Sequence, residues 1–384
     1  AKESHSSSTE RMRYEVVIFG GGATGTATFR DLSMRGFSVA LIEKRTIASG
    51  TTSSSHQNLL GGMRYVLKDP VVAVECAKEN VIISDIASEV VGDVLNYFVG
   101  VTSEYALSAL QAAKKLHIRA KEIDIDEVFK EIPELNRDLN VAVETADKNI
   151  NAQRFCWLNC YSAKQNGGSL FENQELRSIH EIEQEFVIST SLGKLKTNYV
   201  INATGPWVNT VAHNVGATLP LTYSQGTIIV QKALCSRGIQ HLREPSDADA
   251  YIVHNGYGWL GTTSTTIQRP EDAHPEPWAD TYLKNEIARI LPNVKRRPTL
   301  RMFTGVRALA DRDHGTVELG RHDADGRLKS RDFRVIEDPS NMFHIIGGKL
   351  TTARLMAEKI ADAVCQKAPC NARCRTSKES INAD

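Results

Sequence analysis

The 384-residue sequence has no excess charge of either sign, with 46 lysines and arginines set against 46 aspartates and glutamates. Capture of nucleic acid or of a membrane by bulk electrostatics is thereby excluded, although a local basic pocket is not. Long apolar runs are also missing. Stretches such as residues 14–19 and 199–201 stop far short of the ~20 residues that a membrane-spanning helix needs. There is no CxxC, and the seven cysteines (Cys76, Cys156, Cys160, Cys235, Cys365, Cys370 and Cys374) are an odd number. That pattern favours reduced thiols in a cytoplasmic protein over a disulfide framework. Residues 1–13 are rich in serine and charge and lack the apolar core of a signal peptide, so they are expected to form a disordered tail.

Aromatic residues are few, at 7%, yet hydrophobic residues reach 41%, enough for a large core and far from a disordered composition. The length exceeds what one core usually fills, so two domains are expected, with segments interleaved along the chain.

The first structural signal is a β-branched run at 14–19 of the kind that is buried on both faces of a parallel sheet. It opens into Gly20-Gly21-Gly22-Ala23-Thr24-Gly25, then a helical stretch to Arg35 that stops at Gly36, then a strand at 38–42 closed by Glu43. Glycines recur in any tight turn, so GxGxxG alone is weak. Between a strand and a helix, and with an acid at the end of the next strand, it reads as a dinucleotide cradle. Gly20 makes the turn, Gly22 admits a pyrophosphate, Gly25 packs helix on strand and Glu43 reaches a ribose. FAD and NAD share this pattern. After Glu43 the chain enters Ser49-Gly50-Thr51-Thr52-Ser53-Ser54-Ser55-His56 instead of a regular βαβ repeat, and such a loop suits either a long extended cofactor or a solvated linker.

Helices are expected at 71–91 and 103–116, and 122–135 is ambiguous between short helices and loop. Strands return at 186–190 and 195–202, the latter running into Ala203-Thr204-Gly205. From 219 to 333 the pattern changes to strands punctuated by Gly and Thr, with a helix near 278–291 bracketed by prolines. A buried strand at 342–346, Gly347-Gly348-Lys349 and an amphipathic helix at 350–364 close the parallel-sheet pattern. Cys156 and Cys160 stand at helical i, i+4 spacing; with no partner pair nearby they read as buried thiols, and no metal site is expected.

Several segments together resemble FAD-dependent glycerol-3-phosphate dehydrogenases. They are residues 17–43, Gly61-Gly62-Met63-Arg64-Tyr65, residues 200–207, Gly261-Thr262-Thr263, Thr304-Gly305-Val306-Arg307, Ser330-Arg331-Asp332-Phe333 and residues 347–352. Residues 244–249 and 356–365 look closest to the large catalytic subunit of the anaerobic form, within the D-amino-acid-oxidase-like flavoproteins. The resemblance implies an α/β fold, a glutathione-reductase-type FAD-binding Rossmann-like domain with an inserted β-rich α+β substrate domain. Its expected parts are FAD-binding segments at 14–95, 151–218 and 334–368, a helical or connecting segment of the substrate domain at 96–150, the substrate domain proper at 219–333, and a tail at 369–384.

Carried over by position, FAD would be held by Gly20, Gly22, Ala23, Thr24, Gly25, Glu43, Lys44, Thr51, Thr52, Ser53, Leu176, Ala203, Thr204, Gly205, Gly348, Lys349, Leu350 and Thr351. Glycerol 3-phosphate would meet Arg64, Tyr65, Arg307 and Arg331. A phosphate monoester is a near-dianion whose burial needs charge-assisted donors, for which the guanidinium fork is well shaped. Isolated arginines are more often exposed, so the resemblance carries that assignment.

The implied reaction moves a hydride from C2 of sn-glycerol 3-phosphate to FAD, with Arg307 or Lys349 stabilising the alkoxide. The aerobic enzymes' histidine after the segment reading Gln225-Gly226-Thr227 is Ile228 here. His56 is the replacement candidate for the base, against a plain hydrogen-bonding loop histidine; His254 is a further one, against a surface turn. Electrons would pass to a quinone or an accepting subunit, with peripheral contact on the cytoplasmic face of the membrane. The alternatives are a sister oxidoreductase acting on a 2-hydroxy acid or secondary amine, a non-catalytic FAD-binding subunit, or an NAD enzyme.

Overall fold

The structure is a computed structural model that describes residues 12–244, 248–310 and 333–381. Its first sheet is built on parallel strands in the order Met342–Gly347, Gly193–Asn202, Met12–Phe19, Val39–Ile42 and Ser169–Phe171. Phe333–Glu337 adds an antiparallel edge, and the hairpin Leu176–Ile182/Glu185–Thr190 extends from Gly193–Asn202. Because side chains alternate across a strand, the run at 16–19 feeds two cores. Val16 and Ile18 meet Phe29, Leu32 and Ile360 from the helices Ala23–Met34 and Ala353–Lys367, whereas Val17 and Phe19 meet Ile179, Phe186 and Ile188 of the hairpin. Double-sided burial is why this strand reads as a continuous apolar run.

The second sheet is larger and mostly antiparallel. Its spine is Leu221–Lys232, flanked by Arg301–Ala310 and by the hairpin Ala250–His254/Tyr257–Gly261. The helix Trp278–Ile287 covers it, seating Ala279, Leu283 and Ile287 against Ile229, Tyr251 and Leu260. Pro292 starts the turn that follows that helix.

The expectation for 96–150 as helical or connecting needs correction. Val91–Gly100 and Val141–Ile150 are long paired strands of the second sheet, with Ala120–Ile123 at the edge, and only Glu104–Lys115 and Ile125–Glu131 are helical. Val141–Ile150 alternates buried with half-buried positions, but Glu144, Asp147 and Lys148 dilute its apolar signal. The helix expected to reach residue 91 ends at Ile86, and Val91 already begins a strand. The edge of the first FAD segment at 95 therefore cuts through a strand.

The tails differ from expectation as well. Met12 and Arg13 belong to the first strand, with residues 1–11 outside the described residues. Residues 369–381 are docked on the helix Ala23–Met34. Buried Arg30 donates to the carbonyls of Thr376 (3.2 Å) and Glu379 (2.7 Å), and Ile381 is buried beside Ile83 and Ile86. Buried Arg354 adds a hydrogen bond to Thr376 Oγ1 while paired with Glu79 and Glu358.

Candidate active site

One cavity of about 780 Å³ runs from the C-terminal ends of the parallel strands to the second sheet. Its volume is in the range of cofactor and ligand sites, and its place is where open parallel sheets bind ligands. At the sheet end the walls are largely backbone. Gly20 has φ +102°, and a Cβ there would lie 2.5 Å from Ala203 O; a Cβ on Gly25 would lie 1.8 Å from Gly20 O. Gly25 therefore brings helix against strand and does not itself line the cavity. Gly22 does line it, as N-cap of the helix Ala23–Met34 with no side-chain cap, so the first-turn N–H groups and the helix dipole face the cavity. Ala23 N donates to Thr52 Oγ1 at 3.0 Å, tying the Ser/Thr loop to this end.

The Glu43 carboxylate is pinned at the end of Val39–Ile42 by Gly21 N (2.7 Å) and Arg45 N (2.8 Å). Lys44 pairs with Glu175 on the exposed rim, beside Leu176. Ala203, Thr204 and Gly205 form the opposite lip, and Thr51 Oγ1 donates to Val306 O (2.7 Å), joining the loop to the second sheet. Ser53 does not line the cavity: its hydroxyl donates to Ala48 O at 2.6 Å and closes the loop on itself.

The far end is built from long side chains. Gly62 has φ +98° and sits so close to Ala73 that a Cβ would meet its carbonyl oxygen at 2.4 Å, which launches the turn Met63–Tyr65. Arg64 on this turn pairs with Asp249 at 2.7 Å. Arg307, opposite Ser224 in the register, donates to Ser224 Oγ, Gln225 O, Thr262 Oγ1 and Thr263 O. A Cβ on Gly226 would fall 2.2 Å from Arg307 Nη2, so that glycine makes room for the guanidinium. Lys349 Nζ lies 4.9 Å over the Tyr65 ring, and Gly348, Leu350 and Thr351 line the wall beside it, Thr351 Oγ1 accepting from Leu60 N at 2.9 Å.

His56 lies among these cations. Its Nε2 is buried with no hydrogen-bond partner among the described residues, and burial, then Arg64, pushes its pKa down to about 3. Its carbonyl accepts from His254 Nε2 at 2.7 Å, so His254 is no free surface histidine but a support for His56. Ile228 is fully buried.

The structure thus brings together, on one cavity, every proposed site residue except Gly25, Ser53 and Arg331, the last of which lies outside the described residues. Sequence reasoning missed Asp249, Thr262 and Trp207 as wall residues. Each stood inside a segment singled out for resemblance, but nothing in the sequence said which side chain would face inward. Cys156 and Cys160 are buried on the helix Ala152–Gln165, and Cys156 touches the core beside Ala23.

A cradle that a Cβ would fill, a helix N-terminus whose N-cap is a glycine with no capping side chain of its own, and a buried imidazole nitrogen without a partner among the described residues, all on the same cavity, fit an extended dinucleotide with a ring system at the inner end. Residues 15–363 match the model of the family described as FAD dependent oxidoreductase. Among curated proteins, the chain is 30% identical over 386 residues to an anaerobic glycerol-3-phosphate dehydrogenase subunit of Haloferax volcanii, covering 95% of this chain and 66% of that one. The anaerobic glycerol-3-phosphate dehydrogenase subunit of Haemophilus influenzae is 30% identical, covering 96% of this chain and 67% of the relative. The chain thus spans about two thirds of the length of these relatives.

Similar solved structures include the glycerol-3-phosphate dehydrogenase of Bacillus halodurans complexed with FAD (19% identity, TM-score 0.72, covering 96% of this chain and 67% of that one). Glycine oxidase of Geobacillus kaustophilus (19%, TM-score 0.75, 97% and 99%) has the same fold. The matched span, the cradle and the sheet order agree, and the chain belongs to the FAD dependent oxidoreductase family.

Proposed function

We propose that this chain oxidises sn-glycerol 3-phosphate to dihydroxyacetone phosphate, with FAD as the resident cofactor. The observation that carries the reading is a continuous cavity in which a glycine-built cradle runs into a chamber lined by Arg64, Arg307 and Lys349 around His56 Nε2, which has no partner among the described residues. The names of the curated relatives support the same substrate. Fold alone does not choose, because glycine oxidase shares it. A carboxylate substrate is served by one or two basic groups, whereas a buried phosphate near-dianion calls for more.

Gly20, Gly22, Ala23 and Thr24 would hold the pyrophosphate at the helix N-terminus, Glu43 the ribose, Lys44 and Leu176 the adenosine end, and Thr51, Thr52, Ala203, Thr204 and Gly205 the middle. Gly348, Lys349, Leu350 and Thr351 would border the flavin ring. When bound, FAD supplies the two-electron acceptor for the hydride that leaves C2. Arg64, Tyr65 and Arg307 would bind the substrate; Arg331, the fourth residue assigned to it by resemblance, lies outside the described residues. His56 takes the hydroxyl proton at Nε2. Its low pKa keeps the imidazole neutral and able to accept at physiological pH, and also makes it a weak base. The developing alkoxide must therefore be stabilised as the proton leaves, which is the role of the fixed Arg307 guanidinium and of Lys349.

Electrons then pass to a quinone or to an accepting subunit, consistent with relatives that are themselves named as subunits. Such delivery puts the chain at the cytoplasmic face of the membrane as a peripheral component; no helix among the described residues is long and apolar enough to cross one. The test is turnover of the purified flavoprotein with an artificial dye acceptor and identification of the product. Dihydroxyacetone phosphate from glycerol 3-phosphate, with none of the oxidised products from lactate or sarcosine, is expected. Turnover of either control in its place contradicts the reading.

A further inference from the structure

The substrate end of the cavity carries an anion as well as cations. Asp249 lines it, yet its side chain is only 4% exposed, against 18% for Arg64. Asp249 Oδ1 accepts from Arg64 Nη2 at 2.8 Å, and Oδ2 lies 2.7 Å from the same nitrogen in the ion pair. Among the described residues, Nε and Nη1 of Arg64 have no acceptor, so the guanidinium is gripped at one corner and keeps N–H donors to spare in a residue that lines the cavity. The backbone under Asp249 is itself fixed. Its carbonyl accepts from His241 N at 2.8 Å, the neighbouring Ala248 N donates to Thr262 O at 3.0 Å, and the strand Ala250–His254 begins at the next residue. A carboxylate sealed on rigid backbone behind a partly open guanidinium is the arrangement that orients an anion-binding fork, since a side chain with four rotatable bonds otherwise loses much of its entropy on binding.

We propose that Asp249 is a positioning residue for anion recognition: by holding Nη2 it fixes the plane of Arg64 so that a remaining N–H donor of the guanidinium meets the phosphate of the substrate. The identity of that substrate rests on the function proposed above; the holding of a phosphate group does not, and the two are tested apart. The opposing expectation is also physical. If Asp249 only diluted the positive charge of the chamber, its removal would strengthen anion binding, because one negative charge would be lost from beside Arg64.

The experiment uses the purified flavoprotein in phosphate-free buffer, with Asp249→Asn, Asp249→Glu, Arg64→Ala and the double variants. Inorganic phosphate is titrated and followed by perturbation of the flavin spectrum and by the shift in melting temperature; KM and kcat are then measured with glycerol 3-phosphate. Asp249→Asn is expected to raise the phosphate Kd and KM by about tenfold, the worth of roughly one charge-assisted hydrogen bond, with kcat changed by less than about threefold. Asp249→Glu keeps the charge but moves the grip by one methylene, so it also weakens phosphate binding; it carries the test should Asp249→Asn fold poorly. In the Arg64→Ala background neither change at 249 has a further effect beyond about twofold, because the action runs through Arg64. Phosphate binding that is unchanged or tighter in Asp249→Asn overturns the proposal, as does a full Asp249 effect without Arg64. Should glycerol 3-phosphate fail as a substrate of the unmodified protein, the parent reading falls while the phosphate titration still decides the role of Asp249.

Discussion

The two ends of the cavity are made of different material. The dinucleotide end is backbone: Gly20, Gly22 and the first turn of the helix Ala23–Met34, set by a strand, a turn and a helix contiguous in sequence. The far end, which we assign to the substrate, is side chain: Arg64, Asp249, Arg307, Lys349 and His56, drawn from segments up to 293 residues apart, from 56 to 349, and held by partners that are themselves distant. A backbone site tolerates no added atoms but needs few particular side chains. A side-chain site tolerates small changes in shape but fails when one charge is lost.

That contrast can be broken most severely at Gly25. Its replacement by valine drives a Cβ into Gly20 O, so loss of bound flavin together with a stability loss of at least about 1–3 kcal/mol is expected from the 450 nm absorbance per protein and from thermal melting. Flavin retained at full occupancy would mean that the cradle is not where the cofactor sits. Next comes Arg307→Ala, which should retain flavin yet lose on the order of 100-fold or more in kcat/KM, read by steady-state kinetics. Loss of flavin with an unchanged rate per bound flavin would move Arg307 to the wrong end. His56→Gln should lower kcat by about 100-fold, with KM little changed.

His56 also sharpens the comparison through pH. Its folded pKa of about 3 lies below the ordinary 6.5, so between those values the unfolded chain binds a proton that the folded chain does not. Stability contributed by keeping this histidine neutral is present above pH 6.5 and lost as pH falls toward 3. Denaturation curves should fall less steeply with acid in His56→Gln than in the unmodified protein, and parallel curves would show that His56 is not buried. The smallest effect belongs to the rim. Lys44 and Glu175 are both largely exposed, so Lys44→Ala should change flavin affinity by less than about threefold, as measured by flavin fluorescence on dilution.

The same difference in material decides what the sequence could reveal. Val16 to Phe19, the glycines and Glu43 were legible because a doubly buried strand and a tight turn each restrict residue type locally. The second sheet was only half legible. Val141–Ile150 mixes Glu144, Asp147 and Lys148 into its alternation, and residues 369–381, polar and Cys-containing, gave no sign that Arg30 would bind their carbonyls. In the site, resemblance pointed to Arg64 and Arg307, but the partner of Arg64 stayed hidden, because pairing with Asp249 across 185 residues is a property of the sheet order and not of either segment. Ser53 shows the reverse error: a hydroxyl in the right loop spends itself on Ala48 O.

The most direct measurement is the anaerobic visible spectrum of the purified flavoprotein before and after addition of sn-glycerol 3-phosphate, with lactate and sarcosine alongside. Bleaching of the flavin band by glycerol 3-phosphate alone is expected from the proposed function, since of the three compounds only that one carries a phosphate for Arg64, Arg307 and Lys349 on the cavity wall. A band that stays oxidised with glycerol 3-phosphate but bleaches with either control would contradict the assignment of the far end of the cavity to a phosphate ester.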